Sequence, residues 1–280
     1  MTELRAAPDT ILLIHGLWMT PRSWEHWQAR YEAAGYTVLA PAWPGMEVEV
    51  EALNRDPSPI AHQSFEQIVT HYEDILRALP SPPIIMGHST GGTIMQLLLD
   101  RGWGASGVGI ASATVKGVRD LPLPTIRATF PALRNPFRQS PAPLSAGQFH
   151  YAFTNTLTRD ESDTIYRRYH VPCATGVLRD LAFSNLKRQS PLVVDFDRPS
   201  RSPLLFVAFE EDHIVPPNAS RHNAEKYGGP SKVDFHAFSG RPHFPGAPGW
   251  EHVADYALTW SQQQTPQSEG KSGPEAKRAA

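Results

Sequence analysis

The stretch Ile84-Ile85-Met86-Gly87-His88-Ser89-Thr90-Gly91-Gly92-Thr93-Ile94-Met95 decides the fold, because one apolar run gives way abruptly to another of different period. The left flank, PPIIM, reads as a buried strand and the right flank, TIMQLLLD, as a helix, so GHSTG must be a tight strand-to-helix turn. A G-x-S-x-G turn in that setting is a nucleophile elbow. Side chains at Gly87 and Gly91 would collide with the adjoining strand and helix, and Gly92 fits the same crowding. The turn holds the Ser89 hydroxyl clear of the sheet, near the positive end of the helix that starts at Thr90. Negative charge is stabilised there.

Outward from this turn the pattern repeats. Short apolar runs occur at 10–15 (TILLIH), 37–42 (TVLAPA), 83–88 (PIIMGH), 107–112 (GVGIAS), 203–209 (PLLFVAF) and 233–238 (VDFHAF). Most are continuous rather than alternating, as strands buried on both faces of a parallel sheet require. Amphipathic segments such as PRSWEHWQARYEAAG, SFEQIVTHYEDILRALP and GWEHVADYALTW lie between them, so the expected fold is α/β with a mostly parallel central sheet flanked by helices. The alternation fails once, where proline is frequent and helical stretches such as AGQFHYAFTNTL and RDESDTIYRRYH appear. Residues 1–118 and 202–262 are therefore expected to form the core, 119–201 a helical cap or lid insertion, and 263–280 a disordered tail, polar and rich in Gln, Ser, Gly and Pro.

Composition removes several alternatives. The 280 residues suffice for one large domain, and the single cysteine, Cys173, excludes an internal disulfide framework and any Cys-based zinc site. A formal charge of −2 gives no electrostatic case for nucleic-acid binding. The start, MTELRAAPDTILLIHGLW, reads as neither a secretory signal nor a membrane span, so a cytoplasmic protein is expected. Gly102-Trp103-Gly104-Ala105-Ser106-Gly107 spells a dinucleotide-loop motif but follows a helix and opens a strand, the reverse of what that loop needs. Asn218-Ala219-Ser220 spells a glycosylation acceptor without a secretory context. No H-E-x-x-H or similar cluster suggests a catalytic metal.

A serine hydroxyl is a poor nucleophile at neutral pH, so the elbow calls for a histidine base and an orienting carboxylate, in the order acid then histidine along the chain. After PLLFVAF comes Glu210-Glu211-Asp212-His213-Ile214-Val215-Pro216-Pro217, with acids at the carboxyl end of a strand. Asp212 is favoured over Glu210 and Glu211, because the apolar pair and the prolines behind it would anchor the turn. After VDFHAF comes Ser239-Gly240-Arg241-Pro242-His243-Phe244, a loop that offers His243 as base. The other histidines fit less well: His236 lies in a strand, His252 in the last helix, His88 and His213 are expected to point elsewhere, and His62 and His71 flank a surface helix. For the oxyanion, the expected donors are the amide of Thr90 and that of Leu17 in His15-Gly16-Leu17-Trp18, with Trp18 the second choice. In the insertion, Phe149 and Phe153 share one helical face and Tyr166 and Tyr169 another. Phe149, Phe153 and Trp18 are candidate substrate contacts, although such stripes also form a module's own core.

With HGLW, GHSTGG, EEDHIVPP and GRPHF in this order, the chain resembles the α/β-hydrolase superfamily over roughly residues 8–260. The resemblance implies an α/β-hydrolase fold, no cofactor and no metal. A serine, rather than the aspartate or cysteine of some relatives, points to acyl transfer. The expected activity is that of a serine hydrolase of carboxylic esters, with lactones or thioesters as further options, acting on a small apolar or aromatic molecule. Two rivals remain: a small-molecule receptor on the same fold, and a lyase using the same residues for proton transfer. The sequence leaves the oligomeric state open.

Overall fold

The computed structural model describes residues 8–120, 122–135 and 140–264. Along the chain, β1 (Thr10–Ile14) leads through α1 (Glu25–Ala33) to the short β2 (Thr37–Leu39), and α2 (Val50–Arg55) and α3 (Phe65–Arg77) precede β3 (Ile84–His88). After α4 (Thr90–Asp100) and β4 (Ser106–Ile110) come four helices, α5 (Leu123–Leu133), α6 (Ala146–Phe153), α7 (Arg159–Tyr169) and α8 (Thr175–Ala182). Then β5 (Leu204–Phe209), α9 (Pro217–Glu225), β6 (Val233–Phe238) and α10 (Trp250–Gln263) complete the described chain.

The strands form one sheet in the order β2-β1-β3-β4-β5-β6, and every neighbouring pair is parallel. Strand periodicity sorts the apolar side chains to two faces. Ile11, Leu13, Ile84, Met86, Leu205 and Val207 meet Trp27, Tyr31, Ala254 and Ala257 from α1 and α10 on one side. Leu12, Ile14, Ile85 and Phe206 pack on the other with α3, α4 and the helices that follow β4. In α3, Phe65, Ile68, Val69, Tyr72 and Leu76 keep the helical spacing, and Ser64 with Gln67 forms a capping box at its start. The chain steps from β1 outward to β2 and returns across β1 to β3. That reversal opens a crevice at the carboxyl ends of β1 and β3, where sites form in such sheets.

Several expectations need adjustment. VDFHAF forms β6 at the sheet edge and is half-buried throughout, and TVLAPA supplies only three strand residues at the other edge. His71 lies inside α3 rather than beside it. Helix α5 is not among the expected helical stretches and forms where proline is frequent, with Pro122, Pro124 and Pro131 at its ends. The first two precede or open the helix, where no amide partner is needed, and Pro131 falls in its last turn. Helix α10 continues to Gln263, while residues 265–280 of the expected tail lie outside the described residues.

Candidate active site

Ser89 joins β3 to α4 with φ 54° and ψ −119°, a conformation that L side chains avoid. Surrounding bonds impose it. The Ser89 amide donates to the Ile110 carbonyl at 3.0 Å, and the Ser89 carbonyl accepts from the amides of Gly92 and Ala113, each at 2.9 Å. A Cβ on Gly91 would lie 2.1 Å from the Ile14 carbonyl oxygen, and one on Gly87 equally close to that of Gly91. Strand β1, strand β3 and helix α4 can therefore close around the serine only where side chains are missing.

The loop after β5 turns on Asp212. Its Oδ1 accepts from the amides of Ile214 and Val215 at 2.7 and 2.8 Å, which fixes the carboxylate plane. Its Oδ2 accepts from Nδ1 of His243, on the loop after β6, at 2.6 Å. Both side chains are fully buried. Glu210 and Glu211 face solvent instead. With Nδ1 as the donor, Nε2 of His243 is left as an acceptor, and it has no hydrogen-bond partner among the described residues.

His88 does not point away from these groups, as its neighbourhood in sequence had suggested. Its Nε2–H donates to the backbone carbonyl of His243 at 2.9 Å, and the two rings lie 4.6 Å apart. Burial, helped by the nearby His243 and His15 rings, holds the His88 imidazole well below the usual histidine pKa range. A neutral ring thus ties the residue before Ser89 to the loop carrying His243. The other excluded histidines lie apart: His213 donates through Nδ1 to Tyr151 O, His236 stacks on Tyr256, and His62 and His252 are exposed.

The loop after β1 passes beside the serine, since a Cβ on Gly16 would lie 2.8 Å from Ser89 Cβ. Among the described residues, neither the Leu17 nor the Thr90 amide donates to another group. Trp18 takes a positive φ of 63° and its indole N–H donates to Ala142 O, so its side chain is committed to the helical insertion. Leu17 and Trp18 line a narrow, mostly apolar crevice with Met19, Trp43, Met46 and Gln63.

Residues between β4 and β5 contact the loops after β5 and β6. Phe153 O accepts from the amide of Phe244, Thr125 donates to Ile214 O, and Asn155 donates to Glu211 O. The two phenylalanines of α6 stack on each other at 4.7 Å but differ in surroundings. Phe153 presents an edge to the His243 ring at 5.1 Å and to Trp18 at 6.1 Å. Phe149 packs instead on Tyr166 and His170, in the insertion's own core. Tyr169 lies against Phe244. Among the described residues no cluster of His, Cys, Asp and Glu side chains is arranged to hold a metal ion.

Residues 11–257 match the alpha/beta hydrolase family. The chain belongs to that family. Solved structures of the same fold include a monoacylglycerol lipase from Paleococcus ferrophilus, 20% identical, with a TM-score of 0.64 over 92% of this chain and 96% of that one. A pyrethroid hydrolase from Sphingobium faniae JZ-2 is 17% identical, with a TM-score of 0.64 over 91% and 98%. A methylesterase from Arabidopsis is 12% identical, with a TM-score of 0.64 over 90% and 98%. No curated protein matches this alpha/beta hydrolase in sequence.

Proposed function

We propose that this alpha/beta hydrolase cleaves carboxylic esters through an acyl-enzyme on Ser89. One observation carries the reading: a serine held in a strained turn follows His88, which is bonded to the loop of a buried His243–Asp212 pair whose Nε2 has no partner among the described residues. The Ser89 hydroxyl attacks the ester carbonyl as its proton passes to His243 Nε2. The imidazolium keeps its Nδ1–H on Asp212, and the Leu17 and Thr90 amides receive the oxyanion. Collapse expels the alkoxide, which takes the proton from Nε2. Water then repeats the sequence on the acyl-enzyme and releases the acid.

The lipase, hydrolase and methylesterase activities in the names of the fold's relatives support ester hydrolysis. Phe153 beside His243, with Trp18 against Phe153, favours an apolar or aromatic substrate beneath a cap formed by 119–201. Lactones and thioesters present the same carbonyl. A fluorophosphonate probe should label Ser89 in the folded protein and leave Ser89→Ala unlabelled, with short aryl ester turnover lost in parallel. Tight ligand binding without labelling or turnover would instead identify a receptor.

A further inference from the structure

Helix α5 is inverted relative to an ordinary surface helix. It buries the small Ala128 and Ala132 and turns Leu123, Ile126 and Phe130 outward, 80%, 39% and 59% exposed. Their spacing places them on one face. The same surface continues past α8, which packs against α5, to Phe183 and Leu186, the latter 82% exposed. Asn185 ties the segment after α8 to the turn that precedes α5, accepting from Gly117 N and donating to Val118 O. Apart from Val48, every large apolar side chain exposed among the described residues falls between 123 and 193. Such concentration marks a contact surface.

The charge around this surface has one sign. Arg119 before α5, Arg127 and Arg134 along it and Arg188 after α8 are exposed, Arg127 also lying over the Tyr151 ring, whereas the local acids are paired, Asp120 with His222 and Asp180 with Lys187. The chain as a whole carries −2, so the basic character is local. We propose that the outer face of α5 and the segment after α8 dock on an anionic lipid surface, the apolar side chains entering the interface and the arginines meeting lipid phosphates. That occupant satisfies both halves of the surface. The 265–280 segment, TPQSEGKSGPEAKRAA, has no large apolar residue to cover it. A second copy related by a two-fold axis would set the same arginines against one another. Because Thr125 on the inner side of α5 donates to Ile214 O, beside Asp212, a docked lipid lies about 10 Å, one helix thickness, from the loop carrying Asp212.

Co-sedimentation tests the proposal, using the full chain with vesicles of phosphatidylcholine alone or mixed with phosphatidylglycerol. Binding is expected to the mixed vesicles, weakened by salt, and reduced about tenfold or more in Leu123→Glu/Phe130→Glu. That variant changes exposed residues outside the candidate site, so its circular dichroism and its turnover of a short water-soluble aryl ester should match the parent. No pelleting with mixed vesicles, or equal pelleting of the variant, overturns the proposal. So does a concentration-dependent dimer that the variant abolishes in the absence of vesicle binding, which assigns the face to a second copy.

Discussion

On the proposed mechanism, Asp212→Asn separates the role of charge and proton placement from the role of shape. In the parent, Oδ1 is fixed by two amide donors at 2.7 and 2.8 Å, and only Oδ2 faces His243. An asparagine must keep its oxygen toward those amides, because its NH2 group cannot accept from them. The NH2 group is then forced toward His243 Nδ1. Facing a donor, Nδ1 must give up its proton and accept, and the remaining proton moves to Nε2. That tautomer cannot take the proton of Ser89. The imidazolium of the transition state would also sit, fully buried, without a compensating carboxylate. Both effects act on the chemical step, so kcat should fall by about ten-thousandfold while KM changes little. The side chains are nearly isosteric, and the folded structure should persist. Stopped-flow or steady-state turnover of an aryl acetate gives kcat, and nitrogen-15 chemical shifts of the imidazole give the tautomer. A folded Asp212→Asn protein within tenfold of parental kcat would refute the reasoning.

Two further outcomes follow from the histidines. His88→Ala removes the donor to the His243 carbonyl, leaving a buried oxygen unpaired and the His243 loop free to shift. It should lower kcat by about tenfold with KM nearly constant, because the bond positions the base without touching substrate; loss of substrate affinity alone would contradict this. Stability should fall on acidification: burial lowers the pKa of His15 and His170 to about 4 and that of His88 well below its usual value. The unfolded chain therefore binds protons that the folded one refuses. Stability is fully present above about 6.5 and is lost as pH falls toward about 4, by roughly 3 kcal/mol for His15 alone. Urea midpoints measured across that range check the sign, and a midpoint that rises as pH drops would contradict it.

The strand, turn and helix around Ser89 are legible in sequence because their demands are local: glycine where backbones touch, and an apolar period that changes across the turn. The Ile214-Val215 pair and the prolines behind Asp212, which favour it over its two glutamate neighbours, are legible for the same reason, and in the structure Asp212 accepts from the amides two and three residues ahead. Contacts between distant segments are not. His88 reaches a carbonyl 155 residues away, and nothing in its own neighbourhood shows the direction it takes. Helical spacing likewise groups Phe149 with Phe153, and only the packing of α6 separates the one beside His243 from the one beside Tyr166. Helix α5 is obscured because its prolines mask it and its outward apolar face has the wrong polarity for a core helix.

The glycine contacts at the serine turn have a bearing on how the protein is made. Ser89 adopts its conformation only when β1 and α4 close on it and when the Ile110 and Ala113 backbones are in place. Asp212 and His243 arrive on strands made more than a hundred residues later in synthesis, at positions 204–209 and 233–238. If Ser89 is the nucleophile proposed above, a nascent or partly folded chain accordingly has an ordinary, unreactive serine. On the proposed mechanism, reactivity would switch on at the final docking of β5 and β6, so labelling at Ser89 would time the completion of folding on the ribosome. It would also spare the growing chain and its surroundings from premature hydrolysis.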